Sequence, residues 1–396
     1  MQIGPDAPQK VAILPAMTDI ASMVLSPEQL ARSASRIDRL RRRLDDSGLS
    51  AMIIDHEIDI WYLTGFVGHD ATLIVSPHAA SILCDARYEE YLNPWKQGGV
   101  HDVRIGPRQD VHRMILAVVE SAGIDRMAFQ AEHMTVGRLS QLQRGFPGVQ
   151  FVETTGHLLA LRMIKDPHEV SIIEQCIDIQ QRALTSMLGR VQRGMTELEF
   201  TAGLEYEMRM LGATGAGFDP IVASGPNSSV IHHMPCDRRI DDGPLLIDWG
   251  ARLDGYCSDM TRTFSIGAPD TLQSELYDIV LEAQLAAIEA CRPGADCAEV
   301  DAVARNVIAR HGYGDQFPHG LGHGLGMEVH ESPNFSVKQA GVVLEPGMVM
   351  TVEPGIYLPG VGGVRIEDDV LITEDGHRVL SNMDKSPASV PLECRA

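Results

Sequence analysis

The sequence predicts two domains, an α/β domain over residues 1–160 and an α+β domain over residues 161–396. Short apolar runs at 51–54, 72–75 and 80–84 precede helical segments, and strands that alternate with helices are typical of an α/β domain. In the second domain, two helices followed by an acidic β-hairpin occur twice in succession. This repeated order predicts two similar halves related by pseudo-twofold symmetry.

The first domain is expected to begin with a helix over residues 26–48. Ser26 is a suitable N-cap, and Gly48 is a suitable terminating residue. Helical spacing predicts that one apolar stripe of this helix is buried, formed by Leu30, Ile37, Leu40 and Leu44. Two further helices are expected near 110–122 and 136–144.

Capping signals locate the helices of the second domain. Asp166 with Glu169 forms a capping signature that opens a helix running to about Leu188. Thr196 with Glu199 opens the next helix in the same way. Two more helices are expected at about 272–291 and 298–311.

Composition and charge exclude several classes of protein. The formal net charge of −21 argues against nucleic acid or an anionic membrane as a partner, because phosphate binding requires clustered cations. Seven scattered cysteines without a CxxC pair indicate reduced thiols and a cytoplasmic protein. The mildly apolar segment 11–26 is interrupted by Pro15 and Asp19, so we expect an amino-terminal arm rather than a signal peptide or membrane span.

The first acidic hairpin spans residues 245–264. Its central Asp-Gly pair supplies the positive φ angles that a two-residue hairpin turn requires. That turn would pair Gly250 with Asp259 and Asp248 with Thr261. Both aspartates then point to one face, with Cβ atoms about 7 Å apart, and we expect Gly250 to leave room beside Asp259.

The second acidic hairpin spans residues 349–373. Folding it about Gly360 sets Glu353 directly across from Glu367, and any loop of odd length keeps both glutamates on one face. Between the two hairpins lies a glycine-rich segment that contains His323, and its glycines allow the backbone to approach an ion closely. These residues outline a site with four carboxylates and one imidazole.

Four carboxylates packed together without compensation would raise one another's pKa values, whereas two divalent cations would neutralise them. Cations would also acidify a bridging water, which makes a hydroxide nucleophile available near neutral pH. Oxygen donors with one imidazole suit Mn²⁺ best, with Co²⁺, Fe²⁺ or Zn²⁺ as alternatives. The expected metal ligands are Asp248, Asp259, His323, Glu353 and Glu367.

At these residues the chain resembles the Xaa-Pro peptidases, that is, prolidase and aminopeptidase P. The resemblance spans about residues 30–385. It rests on the sequence motifs SGPNSSVIHH, IDWGA, CSDMTRTF, GLGHGLGMEVHE, TVEPGIY and GGVRIEDD. It implies the creatinase-like "pita-bread" catalytic fold behind a creatinase-like amino-terminal domain. It also implies a dinuclear-metal hydrolase that cleaves the amide bond of Xaa-Pro dipeptides or of peptides that begin with Xaa-Pro. The family's first domain usually packs against a partner, so a homodimer is expected.

The resemblance also implies roles for residues around the metals. Glu353 corresponds to the ligand that takes the proton of the attacking water. His232 corresponds to a histidine that steadies the tetrahedral intermediate, and His330 to one that faces the substrate amide. His319 is implied to bind substrate. Arg365 would share a strand face with Glu367, so it can pair with ligand carboxylates or with a substrate carboxylate.

Several alternatives stay open at this point. Asn334 stands where dipeptidases often carry a basic residue for the free carboxylate, so dipeptides and longer peptides are both candidate substrates. Relatives with the same fold include creatinase-like amidinohydrolases, ectoine hydrolases and sulfonium lyases. Retention of all five ligands disfavours the first two, and Gly250, two residues after Asp248, disfavours the lyases. A non-enzymatic binding protein would be expected to have lost ligands or histidines.

Overall fold

The structure is a computed structural model that describes residues 25–192, 194–386 and 389–390. Most of the amino-terminal arm expected at 11–26 lies outside the described residues, and so does Cys394. The chain divides into two compact units, Met1–Arg162 and Met163–Ala396, here called unit 1 and unit 2.

Unit 1 contains a six-stranded mixed sheet. Its strands are β1 (Met52–Ile54), β2 (Thr72–Val75), β3 (Ala80–Asp85), β4 (Asp102–Gly106), β5 (Arg126–Gln130) and β6 (Gln150–Thr154). They lie in the order β4-β3-β2-β1-β5-β6. Strands β1, β2 and β3 are antiparallel neighbours, whereas the pairs β3–β4, β1–β5 and β5–β6 are parallel. The predicted α/β class of this domain is confirmed.

The helices of unit 1 are α1 (Pro27–Asp46), α2 (Glu57–Thr64), α3 (Asn93–Gly98), α4 (Val111–Ala122), α5 (Val136–Gly145) and α6 (His157–Met163). Helix α1 begins where the sequence predicted, because Ser26 and Gln29 form a complete capping box. Ile37, Leu40 and Leu44 are buried as expected. Leu30 is only half-buried, so the predicted stripe was too long by one residue at its amino-terminal end.

The helices of unit 2 are α7 (Pro167–Leu188), α8 (Glu197–Met210), α9 (Thr271–Ala290) and α10 (Cys297–Arg310). Both predicted capping boxes are present, Asp166 with Glu169 and Thr196 with Glu199. Each box satisfies backbone N–H groups that a helix start leaves without partners, so these starts could be read from local sequence.

Two sheets form the main β-structure of unit 2. The first has the order β20-β12-β9-β8 and contains β8 (Ile221–Ser224), β9 (Gly243–Trp249), β12 (Met260–Ile266) and β20 (Ser389–Val390). The second has the order β14-β13-β15-β18-β19 and contains β13 (Gly322–Gly324), β14 (Glu331–Phe335), β15 (Val349–Val352), β18 (Asp368–Ile372) and β19 (His377–Val379). The short strands β7 (Gly215–Ala216), β10 (Ala251–Leu253), β11 (Tyr256–Cys257), β16 (Gly355–Leu358) and β17 (Gly362–Arg365) complete the set.

The order of elements in unit 2 repeats as predicted. Helices α7 and α8 precede the hairpin β9–β12, and helices α9 and α10 precede the hairpin β15–β18. In the second half, apolar side chains of the helices and strands share one buried core, which includes Val280, Ile308, Met350 and Val370. The packing of helices against a sheet that carries an acidic ribbon positions the carboxylates of that ribbon. The predicted α+β class of this domain is confirmed.

The register of the first hairpin agrees with the prediction. Asp254 and Gly255 have φ angles of 46° and 86°, and they join β10 to β11 as a two-residue turn. Asp248 pairs with Thr261 in the same register. The sequence predicted that Gly250 leaves room beside Asp259, but the structure gives a further reason for glycine at this position. An added Cβ would lie 1.9 Å from the carbonyl oxygen of Ser258. Glycine is needed there for a close approach of two backbones.

The register of the second hairpin also agrees with the prediction, but its strands are interrupted. Val352 pairs with Asp368 on one side of the interruption, and Gly355 pairs with Arg365 on the other. Both pairs belong to a hairpin folded about Gly360, and this register sets Glu353 across from Glu367. Pro354 explains the interruption, since proline has no N–H to donate to the ladder.

Candidate metal centre

One cavity of unit 2 brings together all of the residues that the sequence singled out. Its volume is about 880 Å³. Its lining includes His232, Asp248, Asp259, His319, His323, His330, Glu353, Arg365 and Glu367. These side chains come from the two hairpins, from β13 and the segments on either side of it, and from the segment between β8 and β9. A set scattered over more than 130 residues of sequence therefore faces one space.

The tightest part of the cavity is formed by Asp259, His323 and Glu367. One ligand-type atom from each lies within 4.8 Å of the others, and all three residues are buried. Glu353 joins this group, because its Oε1 is 3.3 Å from Nε2 of His323. The Oδ2 of Asp259 lies 3.8 Å from the same nitrogen. Asp259, His323, Glu353 and Glu367, four of the five expected ligands, therefore lie close together.

Two glycines hold His323 in this position. An added Cβ at Gly322 would lie 2.1 Å from the carbonyl oxygen of Thr351, and one at Gly324 would lie 2.6 Å from that of Ser332. Only glycine permits β13 to lie so close to its neighbours. His323 Nδ1 lies 3.1 Å from the Gly324 carbonyl oxygen, the geometry of a donated hydrogen bond. This bond favours the tautomer that leaves Nε2 free to bind a cation.

The fifth expected ligand, Asp248, is held by Arg365. The Nη2 of Arg365 donates a hydrogen bond of 2.6 Å to Oδ2 of Asp248. The remaining guanidinium nitrogens donate to Oγ1 of Thr261 at 3.0 Å and to the hydroxyl of Tyr357 at 2.9 Å. Arg365 is almost completely buried, so its orientation is determined by these three partners.

The electrostatics of the cavity reflect crowded carboxylates. Burial, together with the charges of neighbouring carboxylates, raises the pKa of Asp259 and of Glu367 well above the usual values. Burial also raises the pKa of Asp248, although the charge of Arg365 opposes it. For Glu353, burial acts in the same direction, but the hydrogen bond and charge of His323 prevail and lower its pKa. A positive charge located between these carboxylates would therefore stabilise their ionised forms.

Two carboxylate oxygens that lack hydrogen-bond partners are available to bind such a positive charge. Oδ1 of Asp248 and Oδ1 of Asp259 are buried and have no hydrogen-bond partner. A buried carboxylate oxygen without a partner is costly unless it coordinates a metal. The donor set, with carboxylates from two hairpins and one imidazole, is the type that Mn²⁺, Co²⁺, Fe²⁺ and Zn²⁺ accept. The residues present therefore fit a pair of divalent cations.

The three expected non-ligand histidines differ in their surroundings. The ring of His330 lies 4.3 Å from that of His323 and is otherwise exposed. Burial and the charge of His323 lower the pKa of His330. His232 is exposed on the segment that follows β8. His319 is half-buried, and its Nε2 lies 2.9 Å from the hydroxyl of Tyr357. Burial lowers the pKa of His319.

Two residues that sequence reasoning missed connect these groups. Tyr357 lies between His319 and Arg365, and burial raises its pKa to about 12, so it stays a neutral donor and acceptor. Thr261 donates a hydrogen bond of 2.6 Å to Oε2 of Glu367 and accepts one from Arg365. The hairpin registers contained the signal, since Thr261 pairs directly with Asp248, and Tyr357 lies on the face of Arg365.

The chain is similar to known proteins in both sequence and structure. Residues 171–374 match metallopeptidase family M24, and residues 36–164 match the creatinase/prolidase N-terminal domain. An Xaa-Pro dipeptidase of Pyrococcus horikoshii is 35% identical over 353 residues, which are 88% of this chain and 97% of that protein.

Solved structures give the same result. An Xaa-Pro dipeptidase from Bacillus anthracis superposes with a TM-score of 0.86 at 35% identity, covering 90% of this chain and 99% of that one. An X-Pro aminopeptidase from Thermotoga maritima superposes with a TM-score of 0.81 at 34% identity, covering 88% and 100%. Sequence, fold and donor set agree with the family that the motifs indicated, and the chain belongs to metallopeptidase family M24, with a creatinase/prolidase N-terminal domain before its catalytic domain.

Proposed function

We propose that this metallopeptidase hydrolyses the amide bond between a first residue and a following proline, in Xaa-Pro dipeptides or in longer peptides that begin with Xaa-Pro. The observation that carries the proposal is the convergence of four carboxylates and one imidazole on a single cavity, with an oxygen of Asp248 and one of Asp259 lacking partners. We infer the specificity for proline from the similarity of the chain to Xaa-Pro dipeptidases and to an X-Pro aminopeptidase.

The proposed metal ligands are Asp248, Asp259, His323, Glu353 and Glu367. We propose Mn²⁺ as the physiological cation, because oxygen donors dominate the set and no thiol belongs to it. When bound, two such cations supply Lewis-acid polarisation of the scissile carbonyl and lower the pKa of a water.

We assign the proton transfer to Glu353. Its carboxyl group must be ionised to bind a cation, so it can accept a proton from the attacking water. The same carboxyl can then deliver the proton to the leaving proline nitrogen.

His232 and His330 are assigned to the substrate. Both line the cavity and both are exposed, so their rings can contact a peptide directly. A histidine N–H near the scissile carbonyl stabilises negative charge as the carbonyl becomes tetrahedral. The lowered pKa of His330 keeps it neutral at pH 7, which suits a group that exchanges hydrogen bonds with an amide.

His319 and Arg365 remain the proposed substrate-binding pair, but their contacts indicate that they also position a metal ligand. All three guanidinium nitrogens of Arg365 are engaged by Asp248, Thr261 and Tyr357. We therefore propose that Arg365 chiefly positions the carboxylate of Asp248. His319 supports Arg365 through the hydroxyl of Tyr357.

We further propose a cytoplasmic homodimer with domains at 1–160 and 161–396. The division into compact units after Arg162 supports the domain boundary. Scattered cysteines support a reducing compartment, and the resemblance to the family supports the dimer. Among the described residues, no helix is long and apolar enough to cross a membrane. Light scattering on the purified protein tests the dimer.

A substrate panel tests the proposed activity. Xaa-Pro dipeptides, Xaa-Pro-Yaa tripeptides and matched dipeptides with alanine in place of proline are each incubated with Mn²⁺, Co²⁺, Zn²⁺ or a chelator. We expect hydrolysis of proline substrates with Mn²⁺ and its loss with the chelator. Equal rates on the alanine peptides, or full activity in the chelator, would refute the proposal. Rates on dipeptides and tripeptides then distinguish dipeptidase from aminopeptidase.

A further inference from the structure

A second group of metal-binding side chains is distinct from the five expected ligands, although its histidine, His233, lines the same cavity. Glu197, His233 and Cys236 each place one ligand-type atom within 4.8 Å of the others. Glu197 is the first residue of helix α8, and the other two lie on the segment between β8 and β9. This group contains a thiol, whereas the five donors of the candidate metal centre contain none.

One oxygen of Glu197 is the centre of this group. Its Oε2 lies 2.7 Å from Nε2 of His233 and 3.2 Å from Sγ of Cys236. The other oxygen, Oε1, accepts hydrogen bonds from the backbone N–H of Ser224 at 2.7 Å and from Nδ2 of Asn227 at 2.9 Å. The carboxylate is fully buried and held by these partners, so it presents Oε2 in a fixed position.

We propose that Glu197, His233 and Cys236 form a second metal site that takes a borderline or soft divalent cation such as Zn²⁺ or Cd²⁺. Carboxylate, imidazole and thiolate are a donor set that Zn²⁺ binds in a tetrahedron with one water. Cys236 is exposed, so water and cations reach the site from solvent. Mn²⁺ prefers oxygen donors and competes weakly here.

The proton balance of binding is simple. In the absence of metal, His233 Nε2 and Cys236 Sγ both direct hydrogen toward Oε2 of Glu197. A cation takes the place of these two hydrogens. The thiol proton of Cys236 leaves to solvent, and the single proton of a neutral His233 moves from Nε2 to Nδ1. Tetrahedral metal–ligand distances of about 2.0–2.3 Å place donor atoms roughly 3.3–3.5 Å apart, so Oε2 of Glu197 and Nε2 of His233 must separate by about half an ångström.

Peptidase activity cannot serve as the test, since Zn²⁺ also enters the candidate metal centre. The full-length, Mn²⁺-loaded protein is instead titrated with Cd²⁺ while the ultraviolet charge-transfer absorption of a metal-bound thiolate is followed. All proteins carry Cys394→Ser, because Cys394 lies outside the described residues and the other cysteines that the structure describes are buried, Cys236 excepted. The signal then reports Cys236 and is independent of the proposed peptidase activity.

We expect thiolate absorption that saturates at one equivalent of Cd²⁺ and is absent in Cys236→Ser. His233→Asn should weaken Cd²⁺ binding at least about 10-fold, whereas His311→Asn, an exposed histidine elsewhere in unit 2, should leave it unchanged. In the protein that retains Cys236, Zn²⁺ should slow alkylation of Cys236 at least about 10-fold. No thiolate absorption, absorption that persists in Cys236→Ser, or equal affinity in His233→Asn would overturn the proposal.

Discussion

Arg365 donates a hydrogen bond of 2.6 Å to one oxygen of Asp248, and the other oxygen of that carboxylate has no partner. The arginine therefore orients the carboxylate and neutralises part of its charge, while Oδ1 stays available to a cation. Arg365 is in turn oriented by Thr261 and Tyr357. Such supporting contacts determine how well a metal ligand is placed before the metal arrives.

The first prediction concerns this support. Arg365→Lys keeps the positive charge but cannot reach Asp248, Thr261 and Tyr357 at once, because an ammonium group lacks the planar fork of a guanidinium. We expect Mn²⁺ affinity or turnover to fall by about 10- to 100-fold. Metal titration by calorimetry and steady-state kinetics measure the two effects.

A matched control for this variant is Arg378→Lys. Arg378 is half-exposed and pairs with Glu174 at the surface, so the same chemical change there should alter neither affinity nor turnover. Wild-type behaviour of Arg365→Lys would show that Asp248 needs no positioning by the guanidinium.

The second prediction concerns a ligand. Asp259→Asn keeps the shape of the side chain but replaces an anionic oxygen that has no hydrogen-bond partner. We expect the variant to lose at least one bound metal per chain and to retain below about 1% of activity, since removal of a ligand costs more than removal of its outer support. Elemental analysis and peptide hydrolysis provide the measurements.

Asp254→Asn is the control in the same hairpin. Asp254 is an exposed turn residue with a φ of 46°, a conformation that asparagine also tolerates. Its replacement should preserve metal content and activity. Full metal content in Asp259→Asn would remove Asp259 from the ligand set.

The third prediction separates binding of metal from catalysis. His232 lines the cavity without contacting the carboxylates described above, so His232→Ala should retain its metals. Turnover should fall by roughly 100-fold or more, the scale of a lost donor to a developing oxyanion. Metal content and kcat are measured on the same preparation. His311→Ala, an exposed histidine at the end of α10, should behave as wild type, and an unchanged kcat in His232→Ala would exclude the assigned role.

Local chemistry explains why much of this site could be predicted from sequence. The Asp254-Gly255 turn determines the register of its hairpin, and register alone decides that Asp248 and Asp259 share a face. The caps at Asp166 and Thr196 define helix starts in the same local way. These signals act over a few residues and do not depend on the rest of the fold.

Contacts between distant segments could not be predicted in that way. The backbone N–H of Asp259 donates to Oδ2 of Asp369, a residue 110 positions later, and nothing in the local pattern of either hairpin indicates it. This contact joins the two acidic hairpins, so it depends on how they pack, which is a tertiary property.

The last prediction concerns the stability of unit 1 and its dependence on pH. Asp59 is buried, and its Oδ1 pairs with Arg162 at 3.0 Å while its Oδ2 accepts hydrogen bonds from His56 at 2.8 Å and Gln130 at 2.7 Å. Burial opposes the charge, but these partners prevail and lower the pKa of Asp59 from 3.8 to about 2. A depressed pKa in the folded state means that the unfolded chain binds more protons as the pH falls.

The contribution of Asp59 is therefore complete at pH 7, begins to decline near pH 4 and is lost as the pH falls through about 2. Its size is about 2 kcal/mol, since one pKa unit corresponds to about 1.4 kcal/mol.

We expect Asp59→Asn to lower the free energy of unfolding by at least about 2 kcal/mol at pH 7 and by about half as much at pH 3. Urea denaturation at the two pH values, followed by circular dichroism, measures this difference. Asp38→Asn, which removes an exposed carboxylate 3.0 Å from Arg41, should have little effect at either pH. A loss of stability in Asp59→Asn that is the same at pH 3 and pH 7 would show that the shape of the side chain, rather than its charge, stabilises unit 1.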